Sequence, residues 1–581
     1  MSKECWLERK VPGDYRKLSE SYGVSPVMAR LVVNRLTPKG ERQLPDAQSV
    51  SEYLDPDISR IFEYRLLPDI DKCIDILVSV ISENKKIRVI GDYDVDGVCA
   101  TFILSSGLHK AGAIVSHAIP HRIVDGYGLN ERLIREAADD GIDCIITCDN
   151  GIAAADRIDL AHELGMTVIV TDHHEIPYHM EGEKRIEDIP HADAVVDIKR
   201  SDSLYGFTDI CGAVIAFKVI LALFDRLGIS GEEAKEFIEL AAFATIEDVM
   251  PLTGENRTLV KTGLDRLKDT RNKGLRALIR AQGVEGIELT TYHAGFVLGP
   301  CINATGRLAT ADNAYDLLAA ESDEEAERTA SVLVAMNNER KEMTLRGTEE
   351  AKRIALGSEM SDDRVLVIYL ADTHESVAGI IAGKIRELTG KPAFVLTDGD
   401  RCIKGSGRSI DEYDMHKAMT EVSGLFEKFG GHKLAGGLTL KAGVTPEMMR
   451  EKMNSLCSLT DKDLEKKIRF DMQLPFARAD MSLVEDIRKL EPFGTGNPRP
   501  RFAASGVRLE NMKVCGRNRN TLKCRASDAY GTAVEAVYFG DADALAEYAS
   551  DNGPLKILYY PDINEYRQMR SLEIRIESYC R

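Results

Sequence analysis

The sequence predicts an α/β protein: two α/β lobes joined by a long helix, with a small β-barrel at the C-terminal end. Three observations predict it. Between 87 and 200, short β-branched runs ("IRVIG", "DCIITCDNG", "MTVIVTDHH", "DAVVD") alternate with helical stretches such as "NERLIREAADDG". That alternation is the pattern of a parallel sheet covered on both faces. Glu321 to Leu356 has no proline, one glycine and a dominance of charge, the composition of a long, largely exposed helix bridging two lobes. Beyond 465, short strands are spaced by turns as in a small barrel.

In chain order, residues 1–80 read as mostly helical, with "SVSEYLDPDIS" a turn-rich connection before the first strand. The first α/β lobe is expected over 81–315, the connecting helix over 316–360, the second α/β lobe over 361–458 and the barrel over 465–581. Val332, Met336 and Met343 are among the connecting helix's apolar positions.

A chain of 581 residues is too long for a single core. Its 44% hydrophobic and 29% charged residues are ordinary for a globular protein and argue against general disorder. No apolar run reaches the ~18 to 20 residues that cross a bilayer, and no apolar segment follows "MSKECWLERK" as a secretion signal requires. Twelve scattered cysteines without a C-x-x-C pair point to reduced thiols in a cytoplasm, not to a zinc ribbon. A net charge of −19 argues against nonspecific nucleic-acid binding over the whole surface. A local basic track is present all the same: Gly496 to Arg525 carries eight lysines and arginines against one acid, Glu510.

The chemistry concentrates where predicted strands end. Asp92, Asp94 and Asp96 follow "RVI", Asp149 follows "CIITC", and Asp172, His173 and His174 follow "VIVT". In an open parallel sheet those ends open onto one crevice. Carboxylates and imidazoles gathered there stay ionised only beside cations. Oxygen ligands mixed with imidazole suit Mn²⁺ or Mg²⁺, and Zn²⁺ less, since no thiolate contributes. A zincin is excluded, because "HHEIPYH" does not match H-E-x-x-H and Pro177 would break the helix that motif needs. No Walker A loop is present.

"GDYDVDG", "CDNGI", "TDHH" and "ATIEDVMPLTGENR" resemble the successive motifs of the DHH phosphoesterase superfamily, and "FGGHKLAGG" (Phe429 to Gly437) resembles the DHHA1 domain. "HRIVDGYGLN", "INATGRL", "KGSGRS" and "EPFGTGNPRPRF" are similar to motifs of the bacterial single-strand-specific exonucleases of that superfamily, co-linear over nearly the whole chain. The resemblance implies a DHH sheet domain, a DHHA1 domain and an OB-like barrel. It implies a two-metal phosphodiesterase working on single-stranded DNA from the 5′ end, in recombination and repair. Carried over by motif position, Asp94, Asp96, Asp149, His173 and Asp248 ligate two Mn²⁺ or Mg²⁺ ions, with Asp149 as the bridge, and His174 contacts the scissile phosphate. Asp92 and Asp172 orient the ligands.

On the substrate side the expected contacts are Arg122, Asn303, Arg307, Lys404, Ser406, Arg408, Gly431, His432 and Gly436, since arginine forks and glycine-exposed amides bind phosphate without competing for metal. In the barrel, Arg499, Arg501, Lys513, Arg517, Arg519 and Lys523 are expected to hold the strand, while Phe493 and Phe502 read first as core residues and only second as stacking platforms. A RecQ-like helicase and a single-strand-binding protein are the implied partners, and the chain is expected to be monomeric. Two places depart from the pattern of these exonucleases: Cys301 stands where arginine is common, removing a possible phosphate contact, and Thr373 and Glu375-Ser376 replace the usual Trp and Pro-Gly. Two alternatives stay open: a phosphodiesterase of short oligonucleotides or cyclic dinucleotides, and a noncatalytic DNA-binding scaffold of the same fold.

Overall fold

The structure, a computed structural model, describes residues 4–37, 43–61, 63–122, 124–399, 402–566 and 569–581. The chain separates into two compact units. The first is formed by 1–5, 64–248 and 266–466, the second by 6–63, 249–265 and 467–581. Among the described residues no helix is long and apolar enough to cross a membrane.

The first unit holds two sheets. Strands β1 (Lys86–Ile90), β2 (Ile114–Ala118), β3 (Cys144–Cys148), β4 (Thr167–Asp172) and β5 (Ala194–Asp197) form an all-parallel sheet in the order β2-β1-β3-β4-β5. The central β3, "CIITC", is buried at every position, as a strand covered on both faces must be. The strand order reverses between β1 and β3, and this switch point leaves a crevice at the strands' C-terminal ends. Helix α1 (Val95–Lys110) leaves β1 through Asp94, whose carboxylate accepts the Gly97 N–H at 3.1 Å as a helix cap. Helices α2 (Gly212–Leu227), α3 (Ile238–Glu247) and α4 (Gly299–Leu308) complete this lobe.

Helix α5 (Asp323–Ala355) runs 33 residues, about 50 Å, without a break. Ser322 caps it, accepting the Glu325 N–H at 3.1 Å, and Asp323, Glu324 and Glu325 in the first turn face Lys352 and Arg353 in the last, matching the helix dipole. Val332 is 44% exposed, as a largely exposed helix allows, and the buried positions are mainly small or polar: Ala326, Ala330, Asn337, Thr344, Gly347, Ala351 and Ala355, with Leu333. Small residues let the neighbouring backbones come close, and Leu333, Met343 and Ile354 add apolar contacts.

The second lobe is a mixed sheet of β6 (Leu366–Tyr369), β7 (Ala393–Asp398), β8 (Ile403–Arg408), β9 (Phe426–His432) and β10 (Ala435–Leu440), in the order β9-β10-β8-β7-β6. Only β6 and β7 run parallel. Helix α6 (Glu375–Thr389) covers it and packs Val377, Ile381 and Ile385 into its core.

The second unit contains a closed barrel of β11 (Phe502–Cys515), β12 (Thr521–Ser527), β13 (Ala533–Phe539), β14 (Leu555–Tyr566) and β15 (Met569–Cys580), in the order β11-β12-β13-β15-β14, with β11 pairing back onto β14. Its core joins Phe502, Leu522 and Tyr559 to Met28, Leu31 and Val50 from the N-terminal helices. The stretch "SVSEYLDPDIS", expected as turn, is half helix: Ala47–Leu54 is helical because Asp46 caps it, accepting the Ser49 N–H at 2.7 Å.

Candidate active site and metal centre

Four loops deliver ionisable groups to the β1/β3 crevice. Asp94 caps α1. Asp96, two residues on in the first turn of α1, is fixed by another helix: its two oxygens accept the Gly212 and Ala213 N–H groups at 2.7 and 2.8 Å, at the N-terminus of α2. Gly212 is required there, since a Cβ would lie 2.7 Å from the Asp149 Cβ. Asp149 adopts a left-handed φ of 61°, which bends the chain back from β3 and turns its carboxylate inward. Its Oδ1 meets His173 Nε2 at 3.0 Å. The same nitrogen lies 3.6 Å from Asp96 and 3.7 Å from Asp248, which ends α3.

Three overlapping groups of potential metal donors result, each within 4.8 Å: Asp149, His173 and His174; Asp96, His173 and Asp248; Asp92, Asp94 and Asp149. Asp149 and His173 each belong to two of them. Burial and the neighbouring Asp96 push the Asp149 and Asp94 carboxyls up, and burial with Asp94 does the same to Asp92. Asp248 is pushed up to about 8 by burial, then Asp96 and Asp94. Asp92 Oδ1 and Asp248 Oδ2 are buried without any hydrogen-bond partner. Orphaned oxygens among mutually repelling acids, beside imidazoles, are the donor set that hard divalent cations complete.

Asp172 orients its neighbours. It accepts the N–H of Ile152 (3.0 Å) and of His173 (2.8 Å), and its Oδ1 meets His174 Nδ1 at 2.7 Å. Burial pulls the His174 imidazole down, but the Asp172 hydrogen bond and charge, with Asp248 and Asp96 behind it, push it up to about 9.

Sequence reasoning missed Tyr127. Its hydroxyl donates to the Asp149 carbonyl at 2.6 Å and lies 3.2 Å from the His174 ring nitrogens, bridging the two. The available signal was its place in "HRIVDGYGLN", the loop that leaves β2 on the crevice side. Asp92 was read as an orienting group, yet it stands with Asp94 and Asp149 as a potential donor. Glu247 was also missed: burial and then Asp94 push it up to about 8, and Asn303 donates to it at 3.0 Å. Asn303, expected on substrate, is thus committed to Glu247.

The second lobe faces this crevice. His432 joins Tyr127, Asn150, Asp172, His174 and Glu175 around a cavity of about 530 Å³. Gly431 (φ 138°) and Gly436 pair across β9 and β10, and a Cβ on Gly431 would lie 2.3 Å from the Ala435 carbonyl, so the ladder beside His432 closes only over glycine. A second cavity, of about 200 Å³, is lined by Arg122, Glu375, Ser376, Thr397, Lys404 and Ser406. Arg122 lies over the Tyr93 ring at 5.0 Å, between Asp92 and Asp94 in the chain. Arg307 donates to the Ser376 carbonyl at 2.8 Å, and burial, followed by Arg122, Arg340 and Arg408, brings its guanidinium down to about 10.

Three family models match in chain order: the DHH family N-terminal domain over 86–245, the DHHA1 domain over 362–460 and the RecJ OB domain over 470–578. The single-stranded-DNA-specific exonuclease RecJ of Bacillus subtilis is 31% identical over 99% of this chain and 71% of its own length. That of Dickeya dadantii is 30% identical over 94% of this chain and 98% of its own. The chain belongs to the RecJ family. A crystal structure of Thermus thermophilus RecJ in complex with Mn²⁺ superposes with a TM-score of 0.80 at 26% identity, covering all of this chain and 80% of that one. A second, in complex with Mg²⁺, gives 0.75.

Cys301 is the first of the two departures from the RecJ pattern. Its side chain is buried, with Sγ 3.2 Å from the Asn337 and Gln282 amides, so the position packs toward α5 and lines neither cavity described above. The barrel also corrects its reading. Arg501 pairs with Glu577 at 2.5 Å and Arg519 with Asp543 at 2.7 Å, while Arg499 stacks over Tyr560 and Phe493. Phe502 is fully buried and stacks no base. Lys513 and Lys523 face each other across β11 and β12, both exposed, and Arg517 lies in the turn between those strands.

Proposed function

We propose that this chain is a metal-dependent exonuclease that hydrolyses phosphodiester bonds of single-stranded DNA from the 5′ end. The observation that carries the reading is the convergence of Asp94, Asp96, Asp149, His173 and Asp248 at one strand-end crevice with orphaned carboxylate oxygens. These residues would hold two Mn²⁺ or Mg²⁺ ions, Asp149 belonging to two of the donor groups. Bound there, the ions supply charge neutralisation at the phosphate and a lowered pKa for the attacking water. His174, held by Asp172 and Tyr127, faces the scissile phosphate, and His432 with the Gly431 and Gly436 ladder steadies the same group from the second lobe.

The smaller cavity gives direction. Arg122, Lys404 and Ser406 line it, and Arg307 and Arg408 add charge beside it. A small recess lined by these cations suits the phosphate at the end of a strand, and with the end seated there the first phosphodiester would be the one cleaved. Lys513, Arg517 and Lys523, with Arg499, follow the strand through its backbone, and the low aromatic content (6%) fits holding without sequence readout. The setting is cytoplasmic recombination and repair, alongside a RecQ-like helicase and a single-strand-binding protein.

Digestion of 5′-blocked and 3′-blocked single strands with Mn²⁺, with duplex as control, tests this. The expected result is that only a 5′ block protects and duplex survives. Equal degradation from both ends, or of duplex, overturns it.

A further inference from the structure

One acid stands among the cations of the smaller cavity. Glu375 opens α6, and its Oε2 lies 2.7 Å from Lys404 Nζ, with the side chains 25% and 40% exposed. Both line the recess with Arg122 and Ser406. The start of α6 offers an anion little else, because the Ser376 N–H is taken by His374 Nδ1 at 3.3 Å, and that nitrogen also meets Ser376 Oγ at 2.6 Å. Arg122, Arg307 and Arg408 pair with no carboxylate among the described residues. Among the described residues Glu375 is the one carboxylate lining the recess, and it is paired with the lysine.

A terminal phosphate monoester that reaches Lys404 must separate it from Glu375 and then sit beside an unpaired carboxylate. A terminal hydroxyl instead donates to Glu375 and leaves the ion pair whole. We propose that Glu375 is a specificity-determining residue of the strand-end pocket, holding Lys404 in an ion pair that a 5′-phosphate must break and a 5′-hydroxyl joins. The enzyme thereby gives up preference for phosphorylated ends and gains acceptance of hydroxyl ends. This rests on reading the cavity as the seat of the strand's end.

The test compares one oligonucleotide sequence carrying a 5′-phosphate or a 5′-hydroxyl, by kcat/KM with Mn²⁺ and by Kd in metal-free buffer. Glu375→Gln, close to isosteric, and Glu375→Ala are each expected to raise the phosphate-to-hydroxyl ratio on the order of ten-fold, the effect of a like charge at this range discounted for partial exposure. Lys404→Ala lowers it, leaving Glu375 uncompensated. A ratio unmoved by both Glu375 substitutions overturns the inference and leaves the nuclease reading intact. A shifted Kd ratio without cleavage of either oligonucleotide supports the pocket and removes the nuclease reading. Failure to bind either oligonucleotide overturns the pocket itself.

Discussion

The crevice at the β1/β3 switch and the outer face of the barrel both look like dense patches of one charge in the sequence, and they fold to opposite ends. In the crevice, acids that the fold brings together from separate loops stay uncompensated: Asp92, Asp94, Asp149 and Asp248 are pushed up by burial and by neighbouring acids. Asp149 and Asp248 have imidazoles as their side-chain partners within 4 Å among the described residues, and Asp94 accepts the Gly97 N–H. In the barrel, folding brings distant acids onto the basic run, Glu577 onto Arg501 and Asp543 onto Arg519, and places Glu510 opposite Arg525. Charge that a fold leaves unpaired at a stability cost marks a candidate ligand site; charge that it neutralises meets a ligand only by giving up its partner.

The sharpest way to break this contrast is Asp149→Ala. Exonuclease activity should fall on the order of 10³-fold or more, while the metal-free melting temperature holds or rises, because one repelling buried acid is gone. A large loss of metal-free stability would mean the acids are structural. Mn²⁺ supplied at a hundred times its Kd should stabilise the parent protein by about 2.7 kcal/mol, and this gain should vanish in Asp149→Ala. Tyr127→Phe removes the hydroxyl between the Asp149 carbonyl and His174; a fall of about ten-fold in kcat is expected, in the range of outer-shell contacts to metal sites. An unchanged kcat would detach Tyr127 from the site. The smallest effects belong to the barrel. Lys513→Ala and Lys523→Ala should each reduce the salt slope of single-strand binding by about one, whereas Arg501→Ala and Arg519→Ala should leave it nearly unchanged. Equal slopes for all four would erase the distinction between paired and unpaired cations.

The parts of this molecule governed by local pattern were legible in the sequence. β-branched runs and the residues at their C-terminal ends located the sheet and the crevice, since strand direction alone decides where those residues go. Residue composition located α5, but not its seat, because burial through Gly347 and alanines leaves no apolar stripe to read. Asp248 was found by motif resemblance, not by strand-end position, as it ends a helix. Tyr127 and the Asn303–Glu247 pair escaped because their roles depend on partners 22 and 56 residues away. The basic run was overcounted for the same reason: Glu577 lies 76 residues from Arg501.

Helix α5 carries a consequence for the larger cavity. It is docked into both lobes of the first unit, through Asn337 against Cys301 and through Gly347, where a Cβ would lie 2.5 Å from the Ile381 Cδ1. Movement of one lobe against the other must bend this rod or strip those contacts. The placement of His174 opposite His432 around that cavity therefore rests on the packing of this one helix.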